Sequence, residues 1–143
     1  NALYWVGEAR REASDFMAVV DYGCAADGLS GAGGTAKDMI AFAEAALKPI
    51  DDSASEGKLT VDAAVNTVYR EGRNKLAHGE MSGLLEDLAE PRAVGDALLT
   101  ALFDSVTPVL ADLLKNEPNL FKVDEKPAYR LLVARLAAKK GTV

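Results

Sequence analysis

Residues 61–76 constrain the fold more than any other stretch. Val61, Ala64, Val65, Val68, Tyr69, Gly72 and Leu76 recur at i, i+3, i+4, i+7, i+8, i+11 and i+15. Only an α-helix brings positions so spaced onto one face. Thr60 is a suitable N-cap and Asp62 suits the positive end of the helix dipole. Gly79, just after His78, can take the left-handed conformation that ends a helix. The spacing therefore predicts a helix from Val61 to about His78.

Other segments read the same way. Leu3, Val6, Ala13, Phe16, Met17, Val20 and Cys24 recur at roughly helical spacing and predict one long first helix over 2–29. GLSGAGG breaks it. Thr35 with Asp38 resembles a capping box that opens a second helix over 36–48, which Pro49 ends. Residues 80–92 read as an acidic loop or short turn ending at Pro91. The stripe Val94, Ala97, Leu98, Ala101, Leu102, Ser105, Val109 and Leu113 predicts a helix over 93–116 that Pro108 kinks or splits. NEPNLFKVDEKP reads as a connector. Tyr129, Leu132, Val133 and Leu136 place a last, basic helix over 127–140. No alternating run bounded by hairpin turns suggests a strand. The expected fold is all-α, a bundle of four to five helices.

A chain of 143 residues is expected to form a single domain spanning 1–143. The apolar fraction of 49% is enough for a core, and with 6% aromatics that core must be filled by Leu, Val and Ala. No unbroken apolar run approaches the ~20 residues of a membrane span, so no membrane association is expected. The opening residues carry no signal-peptide pattern. They also lack an initiator methionine, as a piece of a longer protein would. The lone Cys24 cannot form an internal disulfide, which suits a reducing cytoplasm, and it reads as a buried small hydrophobe. One His and one Cys cannot build a zinc site within the chain, and no metal or cofactor is expected. A net charge of −6 argues against nonspecific nucleic-acid binding. The charge is uneven, however. Residues 122–140 hold six basic and two acidic side chains, a local +4.

Two stretches that invite a functional reading have simpler explanations. GLSGAGGTAKD, residues 28–38, is rich in glycine, but Gly34 and Thr35 follow Gly33 where a phosphate loop needs Lys and then Ser or Thr. No strand precedes it, so an interhelical turn is expected. Asp51 with Asp52, and Glu86 with Asp87 and Glu90, read as solvated surface rather than weak magnesium sites.

EGRNKLAHGE, residues 71–80, holds the only histidine, His78. Arg73 and His78 are five apart, about 140° around a helix. Arginine is long and His78 falls where the helix is expected to end, so both can border one cleft. Arginine presents a planar fork to phosphate oxygens. Histidine exchanges a proton near neutral pH. Asn74 can orient either. Together they suffice to cleave RNA without a metal, one group handling the proton and the other the charge on phosphorus.

YREGRNKLAHG, residues 69–79, resembles the third-helix signature of HEPN domains: Arg, four to six residues, then His, with a polar residue after the Arg. Arg73, Asn74 and His78 fit it. Tyr69 and Gly79 look like the Apea-like HEPN branch, as does DFMAVVDYGCAADGL, which places Asp27 near that branch's acidic position. The resemblance in helix order covers most of the chain, and motif by motif it is confined to 69–79. It implies a helical bundle that dimerises, with two Arg/His motifs facing a shared cleft. Many members are metal-independent endoribonucleases of toxin–antitoxin, phage-defence or RNA-processing systems, with an antitoxin or sensor as partner. Others are noncatalytic interaction modules that bind a protein or RNA. One toxin subgroup carries a Tyr two residues past the His, and its antitoxin modifies that Tyr with AMP. Here that position is Glu80. On the catalytic reading Arg73, Asn74 and His78 form the site, and Arg70, Lys75, Arg130 and Arg135 are candidates for RNA backbone contacts.

Overall fold

The computed structural model describes residues 1–32, 35–47, 59–69, 79 and 87–141. They form α1 (Ala2–Arg11), α2 (Asp15–Ser30), α3 (Ala36–Ala46), α4 (Val61–Val65), α5 (Ala89–Asn116), α6 (Leu120–Val123) and α7 (Glu125–Gly141). The fold is an all-α helical bundle, with no β-strand among the described residues. The helix count exceeds the expected four to five because the first expected helix is two and the connector holds one more.

The division of the first helix has a local cause. Glu12 turns extended (φ −64°, ψ 132°) and ends α1. The Ser14 hydroxyl then accepts from the Met17 amide and starts α2. From across the bundle, Arg92 donates to the Ala9 and Glu12 carbonyls and to the Asp15 carboxylate. Carbonyls that a helix end leaves unpaired are thereby satisfied. The break also resets the register of the apolar face. Leu3 and Met17, expected in the core, are exposed, while Ala2, Val6, Ala9, Ala18, Tyr22 and Ala25 are buried.

α2 ends at Gly31 in the left-handed conformation (φ 64°, ψ 22°). Thr35 stands at the N-cap of α3, but its hydroxyl donates to Asp38 and caps no backbone amide. α3 closes at Ala46, with Leu47 extended. Pro49 lies outside the described residues.

α5 is the central helix and packs against α1, α2, α3, α4 and α7. It begins at Ala89, four residues earlier than the stripe suggested, because Pro91 fits a first helical turn, where its missing amide is no loss. It runs on through Pro108 without splitting. Its buried face is Gly95, Leu98, Leu99, Leu102, Val106 and Leu113, while Ala97 is exposed. The face is turned from the expected stripe because helices on several sides share it. Each fully buried leucine contributes about 2 kcal/mol of hydrophobic free energy. α5 also carries an 18-residue window of mean hydropathy 1.6, so by length and composition it is long and apolar enough to cross a membrane. Counting unbroken apolar runs did not register this.

α4 starts where the pattern predicts, and residues 70–78 of the expected helix lie outside the described residues. Thr60 caps the Ala63 amide at 3.1 Å, and Val61, Ala64, Val65, Val68 and Tyr69 are all buried. Beyond Val65 the chain widens into a π-type turn over 66–69. In α7, Ala128, Leu132 and Leu136 are buried, and Lys140 donates to the Glu44 carbonyl at 2.6 Å, tying α7 to α3.

Candidate functional site

Arg70, Arg73, Asn74, Lys75 and His78 lie outside the described residues. The positions that flank them are described. Gly79 has φ 72°, the left-handed value a glycine at a helix end adopts. On the other side stands Tyr69, fully buried in the π-type turn.

Tyr69 reaches across the bundle to α2. Its hydroxyl donates to the Asp27 carboxylate at 2.5 Å. The acidic residue singled out in the sequence is thus bonded directly to the segment that leads into Arg73. Asp27 is partly exposed, and both residues engage further partners. Thr67 donates to the Ala63 carbonyl at 2.9 Å, a local bond that the wider turn accommodates. The Asn66 side-chain oxygen is buried without a hydrogen-bond partner. Such turns inside helices recur at functional sites. The sequence pattern, which runs at 3.6 residues per turn through Leu76, gave no sign of it.

Arg130 and Arg135 are both exposed on α7. They are five apart, about 140° around the helix, and so do not share a face. Arg135 borders a shallow cavity with Pro108, Val109, Asp112 and Lys139. Cys24 is partly exposed rather than buried. Among the described residues no group of three His, Cys, Asp or Glu side chains is arranged to hold a metal. The Asp51, Asp52 and Glu86 carboxylates lie outside the described residues.

A second polar centre went unnoticed in the sequence. Arg10 donates to Asp96 at 2.7 Å and to Thr100 at 3.0 Å, and Tyr22 donates to the same Asp96 oxygen at 2.9 Å. Arg10, Tyr22 and Asp96, with Asp15 and Arg92, border a cavity of about 450 Å³. Burial pushes the Asp96 carboxyl up. The hydrogen bonds from Arg10 and Tyr22 and the charges of Arg10 and Arg92 outweigh that and hold it below the usual range. Both arginines are matched by carboxylates, so the centre ties helices together and leaves little net charge to attract an ion.

No protein-family model, curated protein or solved structure matches the chain.

Proposed function

We propose that the chain is a HEPN-like domain, closest to the Apea-like branch, acting as a cytoplasmic, homodimeric, metal-independent endoribonuclease in a toxin or phage-defence setting. His78 takes the proton of the ribose 2′-hydroxyl or gives one to the leaving 5′ oxygen. Arg73 binds the scissile phosphate and stabilises its developing charge, and Asn74 orients His78 or the phosphate. The 2′ oxygen bonds to phosphorus as the P–O5′ bond breaks, leaving a 2′,3′-cyclic phosphate and a 5′-hydroxyl. Arg70, Lys75, Arg130 and Arg135 are proposed to contact the RNA backbone, and an antitoxin or sensor is the proposed protein partner.

The observation that carries this reading is the Tyr69–Asp27 bond. It joins Asp27, near the acidic position of the resemblance, to Tyr69, the first residue of the stretch 69–79 that carries the Arg/His motif.

A noncatalytic module that binds a protein or RNA is the alternative. It is favoured by a largely apolar groove of about 510 Å³ between α1, α2, α5, α6 and α7, where Phe103, Leu110, Phe121 and Leu132 line the wall and Leu3 is 72% exposed.

Wild type, Arg73→Ala and His78→Ala, matched for fold by circular dichroism, would be incubated with cellular RNA in EDTA and the product ends mapped. Cleavage by wild type alone, leaving cyclic phosphates, is expected. Equal cleavage by all three, or none, would sink the catalytic reading. Sedimentation of the same samples tests the dimer.

A further inference from the structure

Apart from two tyrosines, the described residues bury two polar side chains, Asp21 and Ser30. Ser30 is satisfied, since its hydroxyl donates to the Ala26 carbonyl and accepts from the Ala32 amide. Asp21 is 5% exposed, and its carboxylate makes no hydrogen bond or ion pair with any described residue. Ala18 and Ala25, on the same face of α2, are fully buried to either side of it. A carboxylate in such a place is costly unless a cation meets it. The charged groups that act on it are carboxylates too, Glu12 and Glu8 of the α1 segment. The arginines of this region are already committed. Arg11 pairs with Glu8, Arg10 with Asp96 and Arg92 with Asp15. Asp21 and Glu12 are left without a matching charge among the described residues.

The Asp21 carboxylate can also be reached. Among the described residues, the side-chain oxygen that is fully enclosed without a partner is that of Asn66. The unpaired Asp21 oxygens therefore open to solvent at the seam between α1 and α2.

We propose that this seam, with Asp21 at its floor and Glu8 and Glu12 on its wall, is a docking site for an arginine side chain on a basic segment of a partner protein. A guanidinium suits it because that group is weakly hydrated and can meet a carboxylate through two parallel N–H bonds. Its charge supplies what the buried carboxylate lacks, and the unmatched Glu12 draws a basic segment to the same place. The site is independent of the nuclease reading, in which Asp21 has no part.

The test titrates an acetylated, amidated hexa-arginine peptide into wild type, Asp21→Asn, Glu12→Gln and Asp112→Asn by calorimetry. A citrulline peptide of the same length, its neutral isostere, is run at matched ionic strength. Asp112 is exposed on α5 beside α7, so its variant removes one negative charge away from the seam. Wild type is expected to bind the arginine peptide and not the citrulline one, with amide NMR shifts confined to 8–12 and 17–25. Asp21→Asn should weaken binding about ten-fold or more, Glu12→Gln about three-fold, and Asp112→Asn by less than about two-fold. The proposal is overturned if wild type does not bind, if the shifts fall elsewhere, or if Asp21→Asn and Asp112→Asn weaken binding alike, which is attraction to net charge only. Self-association of wild type in sedimentation that Asp21→Asn abolishes would put a second copy of this chain at the seam and overturn the assignment to a different protein.

Discussion

The guanidinium of Arg92 lies 2.9 Å from the carboxylate of Asp15, which binds the first turn of α5 to the first turn of α2. The same guanidinium takes the Glu12 carbonyl at 2.7 Å and the Ala9 carbonyl at 3.3 Å. One side chain thus closes both sides of the break between α1 and α2. Arg92→Ala should lower stability by about 2 kcal/mol, the scale of lost hydrogen bonds to a charged group that leave carbonyls unpaired. Arg92→Lys should recover little of it, because an ammonium has no planar fork to span three acceptors. Urea denaturation of the three proteins checks both.

Tyr22 should resist ionisation. It is 1% exposed, and burial, reinforced by the hydrogen bond to Asp96 and that residue's charge, pushes its phenol up to about 12. The folded state favours the neutral phenol. The stability this confers is whole below the ordinary value of 10.0 and is lost as pH rises toward about 12. In a tyrosinate absorbance titration, the difference between wild type and Tyr22→Phe should appear near pH 12. A difference centred near pH 10 would contradict the burial argument. Tyr22→Phe should also be less stable at neutral pH by about 1 kcal/mol, for the lost bond to Asp96.

Asp21 is 5% exposed on α2. Burial, then the charges of Glu12 and Glu8 on the facing α1 segment, push its carboxyl above the usual range. Arg11 nearby is paired with Glu8. Folding therefore favours the protonated acid. The penalty for ionised Asp21 is absent below its unfolded value of 3.8 and grows as pH rises through the raised folded one. Asp21→Asn should raise Tm at pH 7 and give no gain at pH 3. Thermal melts across that range test the sign.

Two glycines admit aromatic rings. A Cβ on Gly95 would stand 2.7 Å from a Tyr22 ring carbon, and one on Gly31 would stand 2.5 Å from the Tyr129 ring, where φ is also +64°. Gly95→Ala would ordinarily strengthen a helix by about 1 kcal/mol. Here the displaced ring should reverse the sign, with a net loss of about 1 kcal/mol. Gly31→Ala adds backbone strain to the clash and should cost about 2–3 kcal/mol. Gly141→Ala, with nothing within 4 Å of the added carbon, is the control and should be neutral. Denaturant midpoints rank the three.

Local chemistry determined much of this protein from sequence alone. The periodicity of 61–69, the Thr60 cap, the glycine ending α2, the positive φ of Gly79 and the all-α class depend on residues within a turn or two of each other, where spacing and backbone preference act directly. Arg73, Asn74 and His78 were picked out by the same kind of local spacing, and they lie outside the described residues. What tertiary structure decided was contact between distant residues. The break at Glu12–Ser14 needed Arg92, about 80 positions away, to hold it. The buried face of α5 needed Tyr22 over Gly95 and four other neighbouring helices to choose it. The bond from Tyr69 to Asp27 spans 42 residues, and no periodic pattern encodes a hydrogen bond between two helices. Packing must first bring the helices together, and only then does burial make pairing obligatory for a hydroxyl and a carboxylate.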